Sequence, residues 1–243
     1  MAAPRINPDR LQRVAVLFED DHLLVIAKPA GLAVHGGAGE TKKTVLEILT
    51  AAYHRPVELV LGHRLDRDTS GVLLLVKSQE LAKTVIGLWP LAEKTYWAVA
   101  LGSITKPLRV DRPLEDKEGR RRAAATRFEP LARLDRIEPA ATWVAAHLET
   151  GRTHQIRRHL AMAGHPVLLD DKHGDFAANK AWARAVRDAG GPRPKTMMLH
   201  ARSLSLPHPA TGEPLTFEAP VPEIWPKVLE VAGHAVDAAG LLS

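Results

Sequence analysis

Apolar and polar positions follow two different periods along this 243-residue chain, and the switches between them mark its elements. In VAVLFEDDHLLVIAKPAG, from Val14 onward, two short apolar runs are separated by Glu19, Asp20, Asp21 and His22. That is a hairpin pattern, and the Lys28-Pro29-Ala30-Gly31 turn ends its second strand. Across 44–53 the period becomes helical: Val45, Leu46, Leu49 and Ala52 share a face, Thr44 is placed to N-cap, and Glu47 is its capping-box partner. The apolar pieces 59–61 and 72–76 read as strands, the second continuous enough to be buried. Ser78 then caps a helix in QELAKTVIGLWP that Pro90 stops, and KTYWAVAL, 94–101, returns to a strand.

Residues 103–125 contain Pro107, Pro113 and the basic run GRRR, so an irregular excursion is expected there, followed by a strand over about 124–134. A further strand is expected over 142–149, a helix over 152–163 before the Gly164 and Pro166 break, and a short helix in ANKAWARAVRDA. Strands over 197–206 and 215–218 flank PHPATGEP as a hairpin, and a helix over 222–239 follows. Without regular strand-helix-strand alternation, this order predicts an α+β fold: one domain over 14–243, with a large mixed, mainly antiparallel sheet flanked by helices and loops. Residues 1–13 are polar and expected to form a flexible N-terminal tail. Gly36, Gly37 and Gly39 mark a flexible loop and not a phosphate cradle, since neither the Walker lysine nor G-x-G-x-x-G spacing accompanies them.

Composition narrows the function classes. The hydrophobic fraction of 45% supports a substantial core. Absence of cysteine excludes disulfides and thiolate metal sites and fits a reducing, cytoplasmic setting. No apolar run approaches the roughly 20 residues that span a bilayer, and the N-terminus lacks a signal-peptide core, so no membrane association is expected. Lys and Arg outnumber Asp and Glu by 33 to 28, for a net charge of +5. The excess is concentrated in GRRR (119–122), GRTHQIRRH (151–159) and ARAVRDAGGPRPK (183–195), as suits a polyanionic partner such as nucleic acid; a scattered, solvated surface charge is the plainer alternative.

Candidate chemistry starts at the charged knot HRLDRD (63–68), set between apolar strands and closed by Thr69, Ser70 and Gly71. Charges beside a core are costly unless paired. Asp66, bracketed by Arg64 and Arg67, is expected to stay ionised, which suits a nucleophile or base; a structural ion pair at a strand entrance is the competing reading. The order of residues differs from a kinase catalytic loop, and no Asp-Phe-Gly follows. A second constellation, TGRTHQIRRH, crowds Arg152, His154, Gln155, Arg157 and Arg158 together; His154 and His159 lack the i, i+4 spacing of a zinc pair. One arginine there can meet a carboxylate while another faces phosphate. Tyr96 and the 199–201 strand supply an aromatic face and an apolar wall of the kind an unstacked base needs, although most strand tyrosines are core residues.

HRLDRDTSG, KTY, TGRTHQIR, AGHP and LHA, preceded by EDDHLLVIAKPAG, occur in an order that resembles the RluA family of pseudouridine synthases, specifically its large-subunit ribosomal RNA branch. The resemblance spans about 16–220. It implies an isomerase that breaks the N1 to C1′ bond of a uridine within RNA, turns the uracil and rejoins it through C5, with no cofactor, metal or nucleotide. It places the catalytic carboxylate on Asp66, nucleotide extrusion on Arg64, stacking and chemistry near C5 on Tyr96, pairing with Asp66 on Arg157, and pocket walls on Ile156 and Leu199. His63, Thr69, Arg152, His154 and Gln155 lie in the same motifs and are expected at the substrate. Relatives in the ribosomal branch usually carry an N-terminal S4 RNA-binding domain, for which the residues before the resemblance leave no room, so recognition is expected through the domain's own basic surface, including Arg120, Arg121 and Arg122, and by a monomer. Ribosomal RNA is the expected partner and transfer RNA the alternative. A non-catalytic RNA chaperone and a nucleoside or glycoside hydrolase are the competing classes, the hydrolase wanting a second carboxylate at a set distance.

Overall fold

Local signals set most element ends in the structure, a computed structural model that describes residues 6, 11, 14–36, 43–53 and 56–234. In chain order the elements are β1 (Ala15–Glu19), β2 (Leu23–Lys28), α1 (Val45–Ala52), β3 (Val60–Leu61), β4 (Ser70–Val76), α2 (Gln79–Leu88), a 3-10 turn (Trp89–Leu91), β5 (Glu93–Leu101), β6 (Leu108–Asp111), β7 (Leu114–Glu115), β8 (Arg121–Arg122), β9 (Ala125–Leu134), β10 (Ala141–Leu148), α3 (Gln155–Met162), α4 (Phe176–Asp188), β11 (Leu199–Pro207), β12 (Pro214–Glu218) and α5 (Ile224–Ala232). This is the α+β composition that the pattern predicts. The chain divides into two compact units, 1–94 with 201–220 and 95–200 with 221–243. No described helix is long and apolar enough to cross a membrane.

In the first unit β1 pairs antiparallel with β2 and β2 with β4, β3 also lies against β4, and β12 pairs with β11. Asp20 makes the first hairpin tight by accepting the His22 and Leu23 N–H groups at 2.7 and 2.6 Å. Thr44 and Glu47 form the expected capping box on α1, and Ser78 caps α2 through the Leu81 N–H. β4 is buried along its whole length. Val72, Leu74 and Val76 pack with Leu23, Val25, Leu204 and Leu206, while Leu73 and Leu75 on the opposite face are equally closed to solvent. Gly71 enters this strand at φ 114° with its backbone against Ala201, where any Cβ would strike the carbonyl. Of residues 1–13 only Ile6 and Leu11 are described, and both are buried; Ile6 bridges to Tyr53 and donates its N–H to the Glu19 carboxylate. At these two points the expected tail is anchored by packing. Gly37 and Gly39 lie outside the described residues.

In the second unit β10 pairs antiparallel with β5 and β9, and β9 with β6. Alternation along β5 sorts its side chains: Trp97, Val99 and Leu101 join a core with Trp182 and Val186 of α4 and Trp225, Val228 and Leu229 of α5. Tyr96, Ala98 and Ala100 face the other way, into a core with Ile156 and Leu160 of α3 and with Leu199. Three expectations are corrected here. The excursion at 103–125 is partly regular, because β6 finds a distant partner in β9 and β7 and β8 form a hairpin. α3 begins at Gln155 instead of near 152, since His154 is left-handed at φ 54°. α5 ends at Ala232, where Gly233 at φ 116° takes its N–H back to Leu229 and Glu230.

Candidate active site

The first unit carries His63, Arg64, Asp66 and Thr69 on one short loop between β3 and β4. Asp66 opens a turn closed by the Thr69 N–H on its carbonyl at 3.2 Å. Leu65 is buried, while Arg64 and Arg67 are exposed and Asp66 is half-buried, so the knot is pinned by its apolar residue and turns its arginines outward. Arg67 pairs with Asp68 at 3.4 Å. The principal brace comes from beneath. Lys28, 1% exposed at the end of β2, donates to the carbonyls of Pro29, Leu32 and Arg67 at 2.8, 2.8 and 2.9 Å, and the Gly31 N–H reaches the same Arg67 carbonyl at 2.9 Å. Burial pushes the Lys28 ammonium down to about 7, with Asp68 and Asp66 acting against that push. Three carbonyl acceptors match the three N–H bonds of a protonated lysine.

His63 and Thr69 face the fold. The Nε2 of His63 accepts the Leu74 N–H at 3.1 Å and its ring meets Trp89 edge-on at 5.3 Å, so the neutral Nδ1–H tautomer fits. Burial pulls its pKa down to about 4; the backbone bond with Arg64 opposes this and the charge of Lys94 adds to it. Thr69 is 2% exposed. Both were expected at the substrate, and both support the loop from inside.

In the second unit Tyr96, Ile156 and Leu199 come together on one face, as an apolar wall requires, with Tyr96 half-buried at its edge. Arg157, in the first turn of α3, is buried; its Nε and Nη2 donate to the two oxygens of Asp170 at 2.7 and 2.6 Å. The resemblance assigns Arg157 to Asp66; the carboxylate that grips it within its own unit is Asp170. Burial raises the Asp170 pKa, but the bonds from Arg157 and from the His173 and Lys172 N–H groups outweigh it and hold the carboxyl below its ordinary range.

The rest of TGRTHQIR divides between surface and scaffold. Arg152 is exposed and donates to the Ala123 carbonyl at 3.1 Å, and His154 Nδ1 shares a 2.9 Å hydrogen bond with His173 Nε2. Gln155 is tied into the scaffold: its Oε1 accepts the Thr150 hydroxyl and the Arg152 N–H, and its Nε2 donates to the Ala125 carbonyl and Thr126 Oγ1. Those four bonds exhaust its amide. The basic run is also partly neutralised, since Asp116 accepts from both Arg120 and Arg122 at 2.9 and 3.1 Å and Glu118 accepts from Arg120.

Two supporting residues, one in each unit, lie outside the candidate site residues: Lys28 and Asp170. A lysine closing a wholly apolar strand before Pro-Ala-Gly was a readable sign of an internal cation. Asp170, in LLDDKHG, offers no comparable signal, because nothing nearby in sequence shows which of two adjacent aspartates turns inward.

Residues 22–162, more than half of the chain, match the family model described as RNA pseudouridylate synthase. The chain is 37% identical over 251 residues to ribosomal large subunit pseudouridine synthase C of Salmonella typhimurium, covering 93% of this chain and 73% of that one. The Escherichia coli protein of the same name is 38% identical over the same shares. Among solved structures, human RNA pseudouridylate synthase domain containing 4 matches with a TM-score of 0.74 and 26% identity over 92% of this chain and 94% of that one.

Proposed function

The chain belongs to the RNA pseudouridylate synthase family, isomerases that act on RNA, and from that premise we propose that it converts a uridine of large-subunit ribosomal RNA to pseudouridine with Asp66 as the catalytic carboxylate. The ribosomal substrate is supported by the names of its bacterial relatives. The observation that carries Asp66 is its turn, whose Arg67 carbonyl is held by a buried lysine that is itself anchored on the Pro29 and Leu32 carbonyls, while the carboxylate stays half-buried. A carboxylate on a backbone fixed in this way is positioned before substrate arrives.

In the proposed reaction Arg64, exposed beside Asp66, helps extrude the nucleotide, and Tyr96 stacks on the uracil with Ile156 and Leu199 forming the wall. The N1 to C1′ bond breaks, C5 bonds to C1′, C5 gives up its proton and N1 takes one. Asp66 serves this sequence by attack at C1′ or C6, or by deprotonating C2′ in a glycal route. The test is release of tritium from ribosomal RNA labelled at uridine C5. Asp66→Asn is expected to abolish release and leave the melting profile intact. Release by that variant at the wild-type rate refutes the assignment; release from transfer RNA alone moves the substrate, and free uracil as product makes the enzyme a hydrolase.

A further inference from the structure

The loop that grips Arg157 is built around one carboxylate. Besides the two bonds from the guanidinium, Asp170 Oδ1 accepts the Lys172 and His173 N–H groups at 2.9 and 3.0 Å. Asn179 of α4 closes the loop from the other side: its Oδ1 accepts the Leu169 N–H at 2.7 Å and its Nδ2 donates to the Asp170 carbonyl at 3.1 Å. Gly174 lies so close to the Asp170 carbonyl that any Cβ would collide with it. Leu169 is held left-handed at φ 62°, a conformation that L-residues other than glycine adopt only at an energetic cost.

These features are poorly explained by stability. A buried ion pair gives back about what its desolvation costs, and well-packed apolar residues often replace one without loss. Leu169 adds strain of the kind that persists where the surroundings enforce a particular geometry. What the arrangement does produce is orientation. Two parallel N–H···O bonds fix the plane of the guanidinium and occupy two of its three nitrogens.

We propose that Asp170 is a positioning residue, fixing the plane of the Arg157 guanidinium for the isomerisation while touching no substrate itself. This rests on the reading that Arg157 and Asp66 serve one reaction. The test compares the full-length wild type with Asp170→Asn, Arg157→Lys and the double variant, using large-subunit ribosomal RNA tritiated at uridine C5 and measuring RNA affinity separately from turnover at saturating RNA. Asparagine can still accept the Lys172 and His173 N–H groups, but it presents an amide to the guanidinium. Turnover by Asp170→Asn is expected to fall about 10- to 100-fold with RNA affinity held within about twofold. Lysine cannot make the two-pronged contact, so Arg157→Lys falls comparably and the double variant is no worse than the weaker single one.

If Asp170→Asn does not accumulate as folded protein, Asp170→Glu keeps the charge, moves the carboxylate by one methylene, and is expected to lose turnover over the same range. Wild-type turnover in a folded Asp170 variant overturns the proposal, as does a double variant whose loss is the product of the single losses. Asp66→Asn is run alongside. Activity in that variant refutes the parent reading and this proposal with it, whereas an inactive Asp66→Asn beside a fully active Asp170→Asn removes the positioning role alone.

Discussion

His63 accepts the Leu74 N–H through Nε2, so protonating that nitrogen would set a donor against a donor. Its folded pKa is depressed from 6.5 to about 4, chiefly by burial. The unfolded chain therefore takes up a proton as pH falls through 6.5, while the folded one resists until about 4. The stabilisation is complete above 6.5 and drains away between those values, to a total of about 3 kcal/mol at most. Urea midpoints measured from pH 7 to 4 are expected to decline in the wild type and to decline less in His63→Gln, whose amide oxygen can accept the same N–H without titrating; parallel declines would rule His63 out. At this scale HRLDRD announces Asp66 plainly, because charges between two apolar runs need a reason. It does not reveal direction. His63 and Arg64 are neighbours in sequence, yet one ring turns into the core and the other side chain into solvent, a choice made by Trp89 and Leu74.

Elements whose ends depend on nearby residues are legible. Thr44 with Glu47, Ser78 with the Leu81 N–H, and Pro90 after α2 all act within one turn of where they stand. The start of α3 depends instead on contacts from β9, and nothing in TGRTHQIR spells those out. A buried polar chain makes the connection: Thr150 donates to Gln155, Gln155 to Thr126, Thr126 to His159 Nδ1, and His159 Nε2 to the Arg112 carbonyl. The direction follows from its last link, since a carbonyl can only accept and Nε2 must carry the hydrogen; burial lowers the His159 pKa and favours that neutral ring. Thr126→Val preserves shape, removes one partner of Gln155 and strands His159 Nδ1 as a buried acceptor. It is expected to cost about 1–3 kcal/mol in denaturant melts. Thr216→Val, which breaks an exposed hydroxyl pair with Ser205, is expected to change stability by no more than about 0.5 kcal/mol. Equal effects would show that the chain does not tie α3 to β9.

For the whole molecule the α+β class is readable from the order of periods, but the grouping of residues 201–220 with 1–94 is not, because that grouping depends on non-local packing. Charge has the same limit. The sequence supplies a net +5 and places three arginines in a row, yet counting them overstates what RNA can use. Arg120 and Arg122 share Asp116, and Arg120 also meets Glu118. Arg121, exposed on β8, makes no ion pair among the described residues. Each lysine or arginine that neutralises a phosphate steepens the fall of log affinity with log salt by about 0.7–0.9. Under the proposed function Arg121→Ala should lower the magnitude of that slope by about one such unit and weaken binding to ribosomal RNA regardless of sequence. Arg120→Ala removes a cation but frees Glu118 and half of Asp116 from their partner, so its affinity loss at low salt should be the larger, through added repulsion. Titrations of RNA binding across salt concentrations separate the two. An Arg121→Ala slope equal to the wild type would mean that the hairpin does not meet the phosphate backbone.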